Sequence, residues 1–173
     1  GAFPFTIDTT APGNTTLDAA VDDVGPVLGN VPANGTTNDA TPTFQGKGEP
    51  GATITVIDNG QPIGTTTVRP DGSWELTPTT PLADGPHTVT ATATDPAGNT
   101  SGPTPALPFI VDTSAPSDPV ITRAVDDVDP QTGTVANGAT TNDTHPLLEG
   151  KAPANTTEEL FAKTGNREPM TQG

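Results

Sequence analysis

The chain has no cysteine, no tyrosine and one tryptophan among its 173 residues, and aromatic residues make up 3% of it. Without cysteine there are no disulfide staples and no thiolate metal sites. With so few aromatic rings there is little from which to build a flat platform for sugars. Basic residues are scarce as well. Six Lys and Arg stand against 21 Asp and Glu, for a formal net charge of −15. No basic stripe exists to meet phosphates, so nucleic-acid binding and attachment to an anionic membrane surface are disfavoured. No run of 18 apolar residues occurs, so no membrane insertion by a helix is expected. His87 and His145 have no partner at catalytic spacing, and Ser73, Ser101, Ser114 and Ser117 sit in no nucleophile motif, so no enzyme activity is expected.

What the chain does have is a repeat. Phe5-Thr6-Ile7-Asp8-Thr9-Thr10-Ala11-Pro12 returns as Phe109-Ile110-Val111-Asp112-Thr113-Ser114-Ala115-Pro116. Ala20-Val21-Asp22-Asp23-Val24 returns as Ala124-Val125-Asp126-Asp127-Val128, Asn38-Asp39 as Asn142-Asp143, and Gly46-Lys47 as Gly150-Lys151. Each offset is 104 residues, as from Asp8 to Asp112. That period is too long for a solenoid unit and suits a small domain in a tandem array, each bead with its own core. The chain is therefore expected to hold the end of one unit (1–12), a complete unit (13–112) and an incomplete one (113–173), with true termini elsewhere. Its natural partners would be neighbouring repeats.

Only 30% of residues are hydrophobic, and 19 glycines and 21 prolines bring the composition near the disordered range. Alternating patterns argue against disorder over residues 42 to 111. Thr88 to Thr94 is the cleanest of them, with Val89, Ala91 and Ala93 on one face and Thr on the other. Asn59-Gly60, between Thr53–Ile57 and Pro62–Val68, is a hairpin signal, because a type I′ turn needs positive φ at both central residues. Further strands are expected at Thr16–Val24, Thr43–Lys47, Ser73–Thr77 and Leu107–Val111, with a long loop over Gly25–Thr41 and an end strand over Gly1–Asp8. Some seven short antiparallel strands with few helix signals predict an all-β fold, an immunoglobulin-like β-sandwich. The expected core is Val21, Phe44, Ile54, Val56, Trp74, Leu76, Val89, Ala91, Ala93, Phe109 and Val111. Beyond Ala154 the repeat is lost. A capping pattern at Thr156 and Glu159 with Gly165 as a stop predicts a short helix over Glu158–Lys163.

Three strings together carry a resemblance: Asp71-Gly72-Ser73-Trp74-Glu75, Pro81-Leu82-Ala83-Asp84-Gly85-Pro86-His87-Thr88-Val89-Thr90-Ala91, and Asp95-Pro96-Ala97-Gly98-Asn99. With Asp22 to Pro26, Asn38 to Pro42 and Asp112 to Pro116 they resemble the bacterial Ig-like repeat, over residues 1 to about 153. The resemblance implies a rod of repeats from a giant surface adhesin, exported by type I secretion to the bacterial cell surface, active in adhesion and biofilm formation, with Ca²⁺ stiffening its junctions. The ligand of such a full-length protein stays unknown. Position 87 is often aromatic in the family. His87 departs from that with little expected effect, as a residue on a strand surface.

Because direction flips with each strand, the acidic loops gather at the two ends of a sandwich. Asp22, Asp23, Asn38 and Asp39 are the first candidate ligands for a cation, joined by Asp84 or Asp112 at the same end. Asp126, Asp127, Asn142 and Asp143 are their repeat equivalents, and Asp8 and Asp95 belong to the opposite end. Ca²⁺ takes six to eight hard oxygens, and like charges brought together without a cation repel. The alternative reading is that these residues only make turns, which Asp and Asn favour without any metal. A carbohydrate-binding β-sandwich module is the rival from another class.

Overall fold

The computed structural model describes residue 1 and residues 3–130, 132–154 and 156–157. The chain divides into two compact units, Gly1–Ser114 and Ala115–Gly173.

The first unit is a β-sandwich. One sheet is formed by β1 (Ala19–Asp22), β2 (Gly29–Asn30), β4 (Thr43–Lys47) and β7 (Ser73–Leu76), in the order β2-β1-β4-β7. The other is formed by β3 (Thr36–Thr37), β5 (Thr53–Asp58), β6 (Gln61–Thr67), β8 (Gly85–Thr94) and β9 (Leu107–Val111), in the order β3-β9-β8-β5-β6. The seven expected strands are present. Two more, β2 and β3, lie within the span read as a loop, and β3 pairs with β9 in parallel. Two-residue strands carry no periodicity, which is why the pattern missed them. The β5–β6 hairpin turns at Asn59 and Gly60 with φ of 47° and 82°, as a type I′ turn requires.

Period two sets the core. Ile54, Val56, Val89, Ala91, Ala93, Phe109 and Val111 face Ala20, Phe44, Trp74 and Leu76 from the other sheet. Phe44 and Phe109 meet across the sandwich with ring centroids 6.1 Å apart. Trp74, Phe44 and Phe109 are the largest fully buried side chains, each adding about 2–3 kcal/mol by removal of apolar surface from water. The Trp74 indole N–H is shared between the carbonyls of Thr16 and Lys47, both at 3.1 Å.

Three expectations need correction. Val21 is only half-buried; Ala20 and Asp22 take the inward phase of β1, one residue out of step with the expected core position. Gly1–Asp8 forms no strand among the described residues. Phe3, Phe5 and Ile7 are exposed, because a strand needs a neighbour for its ladder and this segment has none here. His87 is not a surface residue. It is 7% exposed, in the same phase as Val89, Ala91 and Ala93, and stacks on Phe109 with centroids 5.5 Å apart.

The second unit repeats the first sheet. β10 (Val120–Asp126) is flanked by β11 (Gly133–Val135) and β12 (Leu147–Lys151), in the order β11-β10-β12. These strands stand 104 residues after the β2-β1-β4 group. The helix expected over Glu158–Lys163 lies outside the described residues.

Candidate functional site

At one end of the first unit, the last residue of β1 points inward with the core phase, so Asp22 is buried (5% exposed) although it is a carboxylate. Burial without partners would be costly, and the loop after it supplies them. Asp22 Oδ1 accepts the Val24 N–H at 2.8 Å, and Oδ2 accepts the Thr37 hydroxyl at 2.5 Å. The same hydroxyl accepts the Asp39 N–H at 3.0 Å. Asp39, 1% exposed, takes the Thr41 N–H on Oδ1 at 2.7 Å, the Thr41 hydroxyl on Oδ1 at 3.3 Å and the Asp23 N–H on Oδ2 at 3.4 Å. Asn38 donates from Nδ2 to Gly25 O at 2.9 Å. Asp22, Asp23, Asn38 and Asp39 are thus brought together, with Thr37 at their centre.

The same lattice stands in the second unit. Thr141 donates to Asp126 Oδ2, Val128 N–H to Asp126 Oδ1 (2.9 Å), Asp143 N–H to Thr141 Oγ1 (3.0 Å), Asp127 N–H to Asp143 Oδ2 (3.5 Å), and Asn142 Nδ2 to Asp129 O (3.0 Å). Asp126 and Asp143 are 5% and 8% exposed. Each of these bonds has its counterpart 104 residues earlier.

The chain leaving β9 lies at this end too, since Asp112 N–H donates to Thr37 O at 2.9 Å and the 78–84 loop joins by Leu82 N–H to Ala40 O at 2.8 Å. Asp84 is exposed and does not reach the Asp22–Asp39 lattice by any hydrogen bond. Its Oδ1 accepts the Thr113 N–H (3.0 Å) and hydroxyl (2.8 Å), and its Oδ2 the Ser114 hydroxyl (3.2 Å). The Thr113 backbone bond first, then the two hydroxyls, hold the Asp84 carboxyl below its ordinary value. Asp112 Oδ1 closes a local turn by accepting the Ser114 N–H at 3.1 Å.

At the opposite end Asp95, 7% exposed, accepts Asn99 Nδ2 on Oδ2 at 2.8 Å and the Asn99 N–H on Oδ1 at 2.9 Å. The Asn99 side-chain bond is the main reason its carboxyl lies below the ordinary range. Asp8 Oδ1 accepts the Thr10 N–H at 3.0 Å, and Asp8 O accepts Asn99 Nδ2 at 3.1 Å. Asp8 and Asp95 are therefore brought together through Asn99.

Sequence reasoning missed three groups. Thr37 recurs as Thr141, so the period itself marked it. Asn99 follows from its place in the Asp95–Asn99 turn. The third is a buried pair: His87 Nδ1 meets Asp58 Oδ2 at 2.7 Å, and Nε2 meets Ala83 O at 2.8 Å. Extending the Val89-Ala91-Ala93 alternation back by two residues was the signal for it.

The donor set at the first end is all oxygen, which is the chemistry of Ca²⁺. Among the described residues, no group of three or more His, Asp or Glu side chains is placed to hold a metal ion. No helix among them is long and apolar enough to cross a membrane.

A family model described as a bacterial Ig-like domain matches residues 10–113. No curated protein matches the chain. Among solved structures, it is similar to the fibronectin(III)-like modules of Clostridium thermocellum CbhA, at 16% identity and a TM-score of 0.35, covering 57% of this chain and 96% of that one. It is also similar to CopC from Methylosinus trichosporium OB3b, at 17% identity and a TM-score of 0.34, covering 57% of this chain and 94% of that one.

Proposed function

The chain belongs to the bacterial Ig-like domain family, and from that membership we propose that it is a non-catalytic structural extender of a large bacterial surface adhesin. It would be exported by type I secretion and serve cell adhesion and biofilm formation outside the cell, stiffened by calcium taken up at its acidic loops. The observation that carries this reading is the return of the Asp22–Thr37–Asp39 lattice, bond for bond, as Asp126–Thr141–Asp143. A chain that builds the same end loop at a fixed period is an array, and an array of beads supplies length.

Calcium enters through charge. With 21 acidic and 6 basic side chains the array repels itself. Asp22, Asp23 and Asp39, and Asp126, Asp127 and Asp143 after them, would offer carboxylate oxygens, with Asn38 and Asn142 as neutral donors. At a Kd near ~10⁻⁴ M, the range of extracellular modules, a hundredfold excess of Ca²⁺ would add about 2.7 kcal/mol to stability. The rival carbohydrate-binding module has no observation in its favour. Trp74, its one large aromatic platform, is 1% exposed and packed in the core.

Two experiments test the reading. Calorimetry and small-angle scattering in millimolar calcium and in EDTA should give a higher melting temperature and a stiffer chain with calcium. Identical curves would remove calcium from the proposal. Replacing these repeats in their parent protein by an unrelated rigid spacer of equal length should preserve adhesion; loss of adhesion, or specific binding of the isolated repeats on a glycan array, would overturn the extender role.

A further inference from the structure

We infer that the two Asp-Thr-(Thr/Ser)-Ala-Pro segments at the ends of the first unit are splinted by that unit's own side chains, the outgoing one by Asp84 and the incoming one by Asn99, by hydrogen bonds that need no metal ion. The segment occurs twice, at Asp8–Pro12 and Asp112–Pro116, one period apart. In both copies it folds on itself in the same way: the Asp side chain accepts the N–H two residues on, Thr10 to Asp8 and Ser114 to Asp112. Such Asx turns fix the start of the segment before anything else touches it.

The first unit then holds both copies, one at each end. The outgoing copy is held by Asp84, whose two oxygens accept one N–H and two hydroxyls from Thr113 and Ser114. The incoming copy is held by Asn99, which donates to Asp8 O while its own orientation is fixed by Asp95. Pro12, at the end of the incoming copy, is buried, whereas the residues on either side of it are exposed. Each copy thus receives one grip from the first unit, the outgoing one through the Asp84 carboxylate and the incoming one through the Asn99 amide.

The outgoing grip is anchored in the core. Ala83, the residue before Asp84, offers its carbonyl to His87 Nε2, and His87 is itself held by Asp58 and stacked on Phe109. The loop that carries Asp84 is therefore fixed from beneath by a buried ring. Asp84 and Asn99 are positioning residues whose effect is independent of calcium, so this inference stands or falls apart from the calcium proposal.

The test is amide hydrogen exchange and ¹⁵N relaxation on the full chain, in calcium and in EDTA. Wild-type Thr113 should be protected equally in both, and residues 8–10 and 113–114 should be ordered in both. Asp84→Ala should raise Thr113 exchange about tenfold, the loss of a charge-assisted bond to a backbone N–H, with Val89 and Ala91 unchanged as controls for the fold. Asp84→Asn keeps one acceptor oxygen, so it should show an intermediate effect; it also keeps the comparison open should the alanine variant unfold. Asn99→Ala should loosen 8–10 and leave 113–114 as they were. Three results would overturn the inference: protection of Thr113 only when calcium is present, exchange of wild-type Thr113 at the rate of an unstructured peptide, or full protection surviving in Asp84→Ala.

Discussion

A single hydroxyl holds the acidic end loop together. Thr37 is 3% exposed; it donates to one buried carboxylate and accepts from the N–H of the residue carrying the other. Thr37→Val keeps the shape and removes both bonds, leaving Asp22 Oδ2 and the Asp39 N–H without this partner. Unfolding in urea should show a loss of about 2 kcal/mol, the cost of leaving buried polar groups unmade, with an unchanged m-value. Gly46 is constrained in the opposite sense. A Cβ there would strike the Thr16 carbonyl and come within 2.7 Å of the Trp74 ring, where the strand pairs Gly46 with Trp74. Gly46→Ala therefore forces the indole from its shared bonds to Thr16 and Lys47, and should cost about 3 kcal/mol through overpacking, measured by the same urea midpoint. The Gly46-Lys47 string was visible as a repeat, but the reason for the glycine was not, because it lies in the Thr16 carbonyl and the Trp74 ring, 30 and 28 positions away in sequence.

Strands with a clean period of two were legible almost to the residue. β4 and β9 have the expected bounds, and β5 to β8 differ from theirs by a few residues at most. Signals failed where neighbours decide the outcome. Phe5 and Ile7 stand in the same phase as Phe109 and Val111, yet only the second segment finds a sheet, so similar local propensity ends in two different states. Among the candidate site residues, the Asp22–Asp39 grouping was legible from the doubled Asp and its recurrence, while the hydrogen-bond partners of Asp84 and Asp95 depended on how loops close. His87, expected on the strand surface, lies inside because it stands two residues before Val89 and shares its phase on β8. Its contacts tie β5 to β8 and to the 78–84 loop: Asp58 Oδ2 at 2.7 Å on one ring nitrogen, Ala83 O at 2.8 Å on the other, and the Thr88 N–H donating to Asp58 Oδ1 at 3.2 Å. A double-mutant cycle of Asp58→Ala and His87→Ala should return a coupling of about 2 kcal/mol, as for a buried bond to a charged group. A coupling near zero would mean that the ring contributes through its stacking on Phe109 alone.

For the whole molecule the dominant fact is the net charge of −15. Diffuse repulsion of this kind is relieved by any salt, because the Debye length shrinks to about 10 Å at 0.1 M. Calcium at a site differs from screening in being saturable. Millimolar CaCl₂ should raise the melting temperature more than NaCl of matched ionic strength, and an equal rise would assign the whole effect to screening. Acid acts on the same charge in two opposed ways. As pH falls from 7 toward the ordinary aspartate value of 3.8, protonation relieves repulsion, so stability should hold or rise. Below 3.8 the sign reverses. Asp95, held low by Asn99, Asp84 by Thr113 and Ser114, and Asp71 by Ser73 keep their charge in the folded state while the unfolded chain takes up protons. In that window the unfolded state binds more protons, and stability is lost with each step down in pH. Urea midpoints measured from pH 7 to pH 2 should therefore pass through a maximum near pH 4 and then fall. In Asp95→Asn the fall should be shallower, because one of the carboxylates that must be protonated is gone. A midpoint that keeps rising below pH 3.8 would mean that repulsion across the whole surface outweighs the hydrogen bonds these carboxylates make at the ends of the unit.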